Sequence, residues 1–309
     1  MHADKIMKNI PTRKVSGLVG TLAVLFTTLF AAVDSVEAQL MLGLKLEKKY
    51  YVAYEPIKAE VTISNRSGKD VVLGGPNNSS WLSFEILTRN TILSPGKRMP
   101  FFKPYVLRRG QTLTKSITLN SAYPMADYGT YRIALNVFYP PTQKFCASAQ
   151  KKIEVTSASK VWSQAIGVAA SPNHPTQYRE YSLMTHRNQD KAQLYVRVRD
   201  QKGMKVYSTF TLGRMLAVGD PQATVDSENH LHVLHMEDVK LFTHSIVTPD
   251  GRQVSREFYK QSPSSRPTLT FDQSTGRVGV RGGYRYDPVA NATNPDRVMN
   301  ASELPPGLE

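Results

Sequence analysis

The sequence predicts an all-β protein in two parts: a pair of packed antiparallel sheets, followed by a β-meander of repeated strand units. Three observations carry this. From Leu44 onward, short runs rich in Val, Ile, Thr, Tyr and Phe alternate with clusters of Gly, Pro, Asn and Ser. No apolar period of 3.6 persists along the chain, which removes the amphipathic helix as a building unit. In the second half, short motifs return after 46 to 48 residues, the mark of a stacked architecture.

Composition supports a folded chain. Of 309 residues, 40% are hydrophobic and 9% aromatic, enough for a sizeable core and too many for wholesale disorder. A single cysteine excludes a disulfide framework and any multi-cysteine metal site. Cys146 sits in Lys144-Phe-Cys-Ala-Ser148 with no His or Asp pattern beside it, so it reads as strand filling and not as a nucleophile.

Residues 1–38 read as an export signal. Lys5, Lys8, Arg13 and Lys14 precede an uncharged apolar stretch over 15–33, and Val36-Glu37-Ala38 offers small side chains before a cut at Gln39. An uncleaved anchor competes with this reading, but Gly17, Gly20 and several threonines weaken the stretch as a permanent helix, and no second apolar span follows. The expected destination is the periplasm or the exterior. The chain carries 39 Lys plus Arg against 25 Asp plus Glu, a net +14, and losing four basic and three acidic residues with the signal leaves +13. Outside a cell the anions within reach are acidic polysaccharides, lipid head groups and envelope proteins, not genomic nucleic acid. The basic pairs Lys48-Lys49, Lys97-Arg98, Arg108-Arg109 and Lys151-Lys152 lie dispersed, without the density of a nucleic-acid arm.

The first domain is expected over residues 39–156. Ala59, Val61 and Ile63 alternate with Glu60, Thr62 and Ser64, a half-buried strand closed by the turn Asn65-Arg-Ser-Gly68. Further strands are expected at 71–73, 81–87, 113–119, 131–138 and 152–155, a spacing suited to a sandwich of about one hundred residues. Asp127-Tyr-Gly129-Thr-Tyr131 resembles the tyrosine corner of immunoglobulin-like domains, in which a Tyr bonds back to the backbone upstream. Ile133 stands where an antibody domain has its second cysteine, so packing must replace the inter-sheet disulfide. Trp81 is the candidate core aromatic. The opening segment 54–65 is similar to the first long strand of exported bacterial sandwich modules of the proteinase-inhibitor and macroglobulin types. That resemblance implies fold more than activity.

Residues 157–174 are expected to connect the halves, with an entry strand and connection over 161–173, and repeats are expected over 175–287. Pro221-Gln-Ala-Thr-Val-Asp226 recurs as Pro267-Thr-Leu-Thr-Phe-Asp272, with an eroded copy from Pro175 to Glu180. Leu194-Tyr195, Gly203, Val206 and Phe210 match Leu241-Phe242, Gly251, Val254 and Phe258. Each unit resembles one blade of a β-propeller, but two units and a fraction fall short of the four blades that closure typically needs, so an open meander is expected. Residues 288–309 lack any period and read as a disordered tail.

Motifs for chemistry are sparse. The sequence contains no Gly-x-Ser-x-Gly elbow, phosphate-cradling loop, His-Glu-x-x-His or calcium loop, and no cofactor is expected. His230, His232 and His244 are the metal candidates, since His-x-His on a strand directs two imidazoles to one face. A hairpin turning symmetrically about Glu237-Asp238 would set Thr243 opposite His232 and His244 opposite Leu231, placing His244 on the wrong side; only an odd loop, shifting the register by one, brings His244 opposite His232, so no metal is favoured. Arg277, Arg281 and Arg285 are candidate anion contacts, with Arg277, Gly279 and Arg281 on an outer face and Val278 and Val280 inward. Sequons begin at Asn65, Asn77, Asn78, Asn291 and Asn300. The expectation is a non-catalytic binding or structural protein of the cell envelope that contacts an anionic polysaccharide, a lipid surface or an envelope protein. The alternatives are a metal-dependent hydrolase using His230 and His232, and an extracellular protease inhibitor.

Overall fold

The computed structural model describes residues 39–89, 91–96, 102–168, 177–188 and 191–288. The expected export signal, the sequons at Asn291 and Asn300, and all of the expected tail after Pro288 lie outside the described residues. Within them the chain is nearly all β, in several sheets without a barrel. No helix among the described residues is long and apolar enough to cross a membrane.

The first part comprises β1 (Leu40–Leu46), β2 (Tyr50–Val52), β3 (Lys58–Asn65), β4 (Val71–Leu73), β5 (Leu82–Thr88), β6 (Thr91–Ile92), β7 (Tyr105–Leu107), β8 (Thr112–Thr118), β9 (Gly129–Tyr139), β10 (Lys144–Ala147) and β11 (Lys151–Thr156). One sheet runs β1-β3-β8, and a second runs β2-β11-β9-β5-β6 with β10 also on β9. All these pairings are antiparallel except β2 with β11. The period-two pattern of β3 explains its placement: Ala59, Val61 and Ile63 are buried while Lys58 and Glu60 are exposed. These residues join Leu44 and Ile117 of their own sheet and Leu82, Phe84, Ile86, Ile133, Leu135, Val137, Ile153 and Val155 of the other in one apolar cluster. Burying each such side chain contributes about 1.5–3 kcal/mol.

Polar groups fix the ends of this core. The Tyr131 hydroxyl donates to the Asp127 carbonyl at 2.8 Å, and the buried Trp81 indole N–H donates to the Lys103 carbonyl at 2.8 Å. Asn65 is 0% exposed, and its Nδ2 donates to the carbonyls of Lys69, Leu107 and Arg108. This sequon asparagine is therefore a structural clasp between two loops, sealed from any modifying enzyme.

The second part comprises β12 (Ser159–Val168), β13 (Gln177–Asn188), β14 (Lys191–Asp200), β15 (Val206–Arg214), β16 (Gln222–Val225), β17 (Leu231–Asp238), β18 (Leu241–Val247), β19 (Gln253–Lys260), β20 (Thr268–Asp272), β21 (Arg277–Arg281) and β22 (Tyr284–Tyr286). Two antiparallel meanders follow one another, β12-β13-β14-β15 and β16-β17-β18-β19, and β20 pairs only with β21. The stretch expected as an entry strand and connection holds β12, which pairs along its length with β13. The eroded repeat copy fits less well, because Glu180 lies inside β13 and not in the leading strand of its sheet. The two stronger copies, from Pro221 and Pro267, stand directly before β16 and β20. Gly203 and Gly251 turn at matching points with φ of 72° and 78°, a left-handed conformation that explains the repeated glycine. The third unit stops short, since β22 turns away to pair with β19.

Tyr181, Leu183, Leu194, Val196 and Val198 of the first meander pack with Leu231, Val233 and Val247 of the second in one cluster. The opposite face of the first meander meets the first part through Met184 and Tyr195, which cluster with Val52. Arg197 secures that contact: Nη2 donates to the Ala53 carbonyl at 2.6 Å, Nε donates to Thr209 Oγ1, and the guanidinium lies over the Tyr54 ring.

Candidate functional site

The histidines occupy β17 and β18, and the register between these strands differs from the symmetric expectation. The turn falls at Val239-Lys240, where Lys240 takes a φ of 58°, and the pairing slips between Met236 and Asp238. Glu237 is the extra residue of a β-bulge, which changes the parity of every pair beyond it. His232 therefore faces Ile246, and His244 faces Leu234. The two imidazoles leave the same face, two residues apart along β18, and not opposite faces as the unbulged hairpin requires.

Asp226 completes the arrangement. It ends the repeated Pro-x-x-x-x-Asp motif just after β16, and its Oδ1 accepts the backbone N–H groups of Glu228 and His230, which holds the turn into β17. Its Oδ2 lies 3.0 Å from His232 Nε2, and His232 Nδ1 lies 3.1 Å from His244 Nε2. The hydrogen-bond inventory sets the tautomers. An ionised Asp226 accepts from His232 Nε2–H, so His232 Nδ1 is a lone pair that accepts from His244 Nε2–H. His244 Nδ1 is then a buried lone pair without a partner among the described residues. Burial raises the Asp226 carboxyl, but the His232 hydrogen bond, the His230 N–H and the electrostatic pull of the His230 and His232 rings outweigh it and hold Asp226 below its usual range. Burial, followed by the neighbouring His232, pushes His244 down to about 4, against a weaker pull from Glu257.

This geometry limits the chemistry. Both ring nitrogens of His232 are engaged, so metal ligation there would require breaking one of its two hydrogen bonds. His230 turns outward, with Nδ1 at 3.4 Å from Asp226 Oδ2 and 3.6 Å from Glu228 Oε2. Among the described residues no group of three His, Cys, Asp or Glu side chains has the geometry to hold a metal. His232 and His244 are each 4% exposed, which denies them to a substrate. His235 leaves the other face and its Nε2–H donates to the Arg214 carbonyl at 3.1 Å, joining the two meanders, and burial pushes it to about 4.

The arginine candidates separate. Arg277 and Arg281 share the exposed face of β21, with Val278 and Val280 half-buried behind them. Arg285 lies on β22, in another sheet, with Nη2 on Glu257 Oε1 at 2.8 Å. Asp226 is the participant that motif reading passed over, although its recurrence as Asp272 was the available signal. Asp272 serves the same turn chemistry, accepting from the Ser274 N–H and both neighbouring hydroxyls.

No family model matches the chain, and no curated protein matches it. Among solved structures, the chain is similar to the crystal structure of Spo0M, a sporulation control protein from Bacillus subtilis. The identity is 9%, over 56% of this chain and 91% of that one, with a TM-score of 0.26. So loose a superposition bears on neither fold nor function.

Proposed function

We propose that this protein is an exported, non-catalytic binding or structural component of the cell envelope, an immunoglobulin-like sandwich followed by propeller-like repeats, whose partner is anionic. The observation that carries the reading is the closure of its histidine cluster: His232 is bonded to Asp226 on one side and to His244 on the other, and both imidazoles are buried. What the surface offers instead is positive charge. Among the described residues, ion pairs with carboxylates engage Lys48, Lys160, Arg179, Arg199, Arg214, Arg256 and Arg285, while exposed cations such as Lys45 and Lys49 make none. The Tyr131 to Asp127 bond and the two sheets on one core support the sandwich, and the successive four-stranded meanders support the repeats.

Charge-led binding weakens as salt screens it, over a Debye length of about 10 Å at 0.1 M. The test is affinity for an acidic polysaccharide across a salt series, alongside metal analysis of untagged protein. Affinity indifferent to salt refutes the charge mechanism. Stoichiometric zinc that disappears in His232→Ala refutes the non-catalytic reading.

A further inference from the structure

Lysines that lie far apart in sequence converge in the fold. Lys45 in β1, Lys48 and Lys49 in the turn to β2, and Lys151 and Lys152 at the start of β11 line one groove of about 470 Å³. It runs along the seam where the edge strand β1 of the three-stranded sheet meets the β2-β11 side of the other. Leu44 and Leu46 contribute apolar walls, and Glu47 is the carboxylate in the lining. Lys48 is neutralised by Glu55, whereas Lys45, Lys49, Lys151 and Lys152 are exposed and make no ion pair among the described residues. Lys152 also stands directly across from the exposed Arg132 of β9, a like-charge pairing that a sheet tolerates poorly. A bound anion would relieve it.

The shape and the residue types narrow the ligand. A concave seam receives a chain better than the plane of a bilayer. Lysine ammonium groups are mobile point charges, suited to carboxylates at loose intervals and not to the planar bidentate capture of a fixed group that arginine performs. Leucines between the cations suit the C–H faces of sugar rings. We infer that the seam groove binds a linear acidic polysaccharide; the inference rests on the anionic-partner reading above and gives it a site.

The experiment compares three forms of the full chain: wild type, Lys49→Gln/Lys151→Gln/Lys152→Gln, and Arg277→Gln/Arg281→Gln. Each is titrated with fluorescent oligogalacturonate and with phosphatidylglycerol vesicles, at low and moderate salt, after circular dichroism shows native folding. All five substituted side chains are exposed, so folding should survive. The expected result is oligogalacturonate binding that falls roughly a hundredfold in the lysine variant at low salt, with a shallower salt slope, and is unchanged in the arginine variant. Binding retained by the lysine variant overturns the groove and leaves the anionic-partner reading standing. Binding to vesicles but not to the oligosaccharide overturns the ligand class. A wild type that binds neither overturns the underlying reading as well.

Discussion

Acid should unfold the second part of this protein well before carboxylate protonation begins. His235 and His244 are buried neutral with values near 4, against 6.5 for the free side chain. Well above pH 6.5 neither state binds a proton at these sites and their stabilisation is complete. As the pH falls from about 6.5 to about 4 the unfolded chain takes up protons that the folded chain refuses, so stability is lost over that window. A gap of about 2.5 pH units at about 1.4 kcal/mol each amounts to roughly 3 kcal/mol per histidine, and the limiting slope for two sites is about 2.7 kcal/mol per pH unit. Set against a typical domain stability of about 5–15 kcal/mol, that loss is decisive. Below this window the depressed Asp226 adds a further loss as it finally protonates. The assay is urea unfolding at closely spaced pH values between 7 and 4, for wild type and for His244→Gln, whose amide can still donate to His232. The variant should show about half the slope. A flat profile in wild type, or equal slopes in both proteins, refutes the assignment of neutral buried histidines.

Other perturbations follow from the same contacts. Asn65→Ala removes three hydrogen bonds to the carbonyls of Lys69, Leu107 and Arg108, the Leu107 bond buried, and should cost about 1–3 kcal/mol in thermal or urea melts, while mass spectrometry of the wild type from a glycosylating host should find no glycan on Asn65. Gly251→Ala should destabilise more than Gly203→Ala: both carry positive φ, at a cost of about 1 kcal/mol, but the new methyl at 251 would clash with Ser208 Oγ and Cβ, while at 203 the nearest atom is 3.4 Å away on a flexible arginine. Equal melting shifts would remove the steric account. Arg197→Ala should loosen the contact between the two parts, seen as faster limited proteolysis around Tyr54 and a melting curve that splits into two transitions. A single unshifted transition would show that the apolar contact at Met184 and Tyr195 suffices.

Much of the β character was legible because its signals are local. Alternation in Ala59 to Ile63 reports a sheet face directly, and the recurrence of Gly203 as Gly251 reports a turn that needs a left-handed residue. The strand at Ser159–Val168 was legible only in part, as an entry strand from Val161 without firm bounds, because its exposed, polar face hides the period that a half-buried strand displays, with Ile166 its one buried side chain. The histidine geometry depended on one bulged residue, Glu237, and nothing in a single sequence marks where a hairpin inserts an extra residue. The lysine groove was hidden for another reason: pairs about one hundred positions apart become neighbours only when β1 and β11 meet along a seam, which topology decides and composition does not.

The join between the two parts has a mechanical meaning. β11 begins at the lysine-lined groove and ends at Thr156, and only residues 157 and 158 separate it from β12. A tug on anything held at Lys151 would run straight down this strand into the second part with almost no slack to absorb it. Because β11 is paired with β9 from Lys151 to Val155 and with β2 from Glu154 to Thr156, the load would fall on those ladder bonds in shear, where many must fail together and not one by one. Such a layout suits a tether that stays attached under tension.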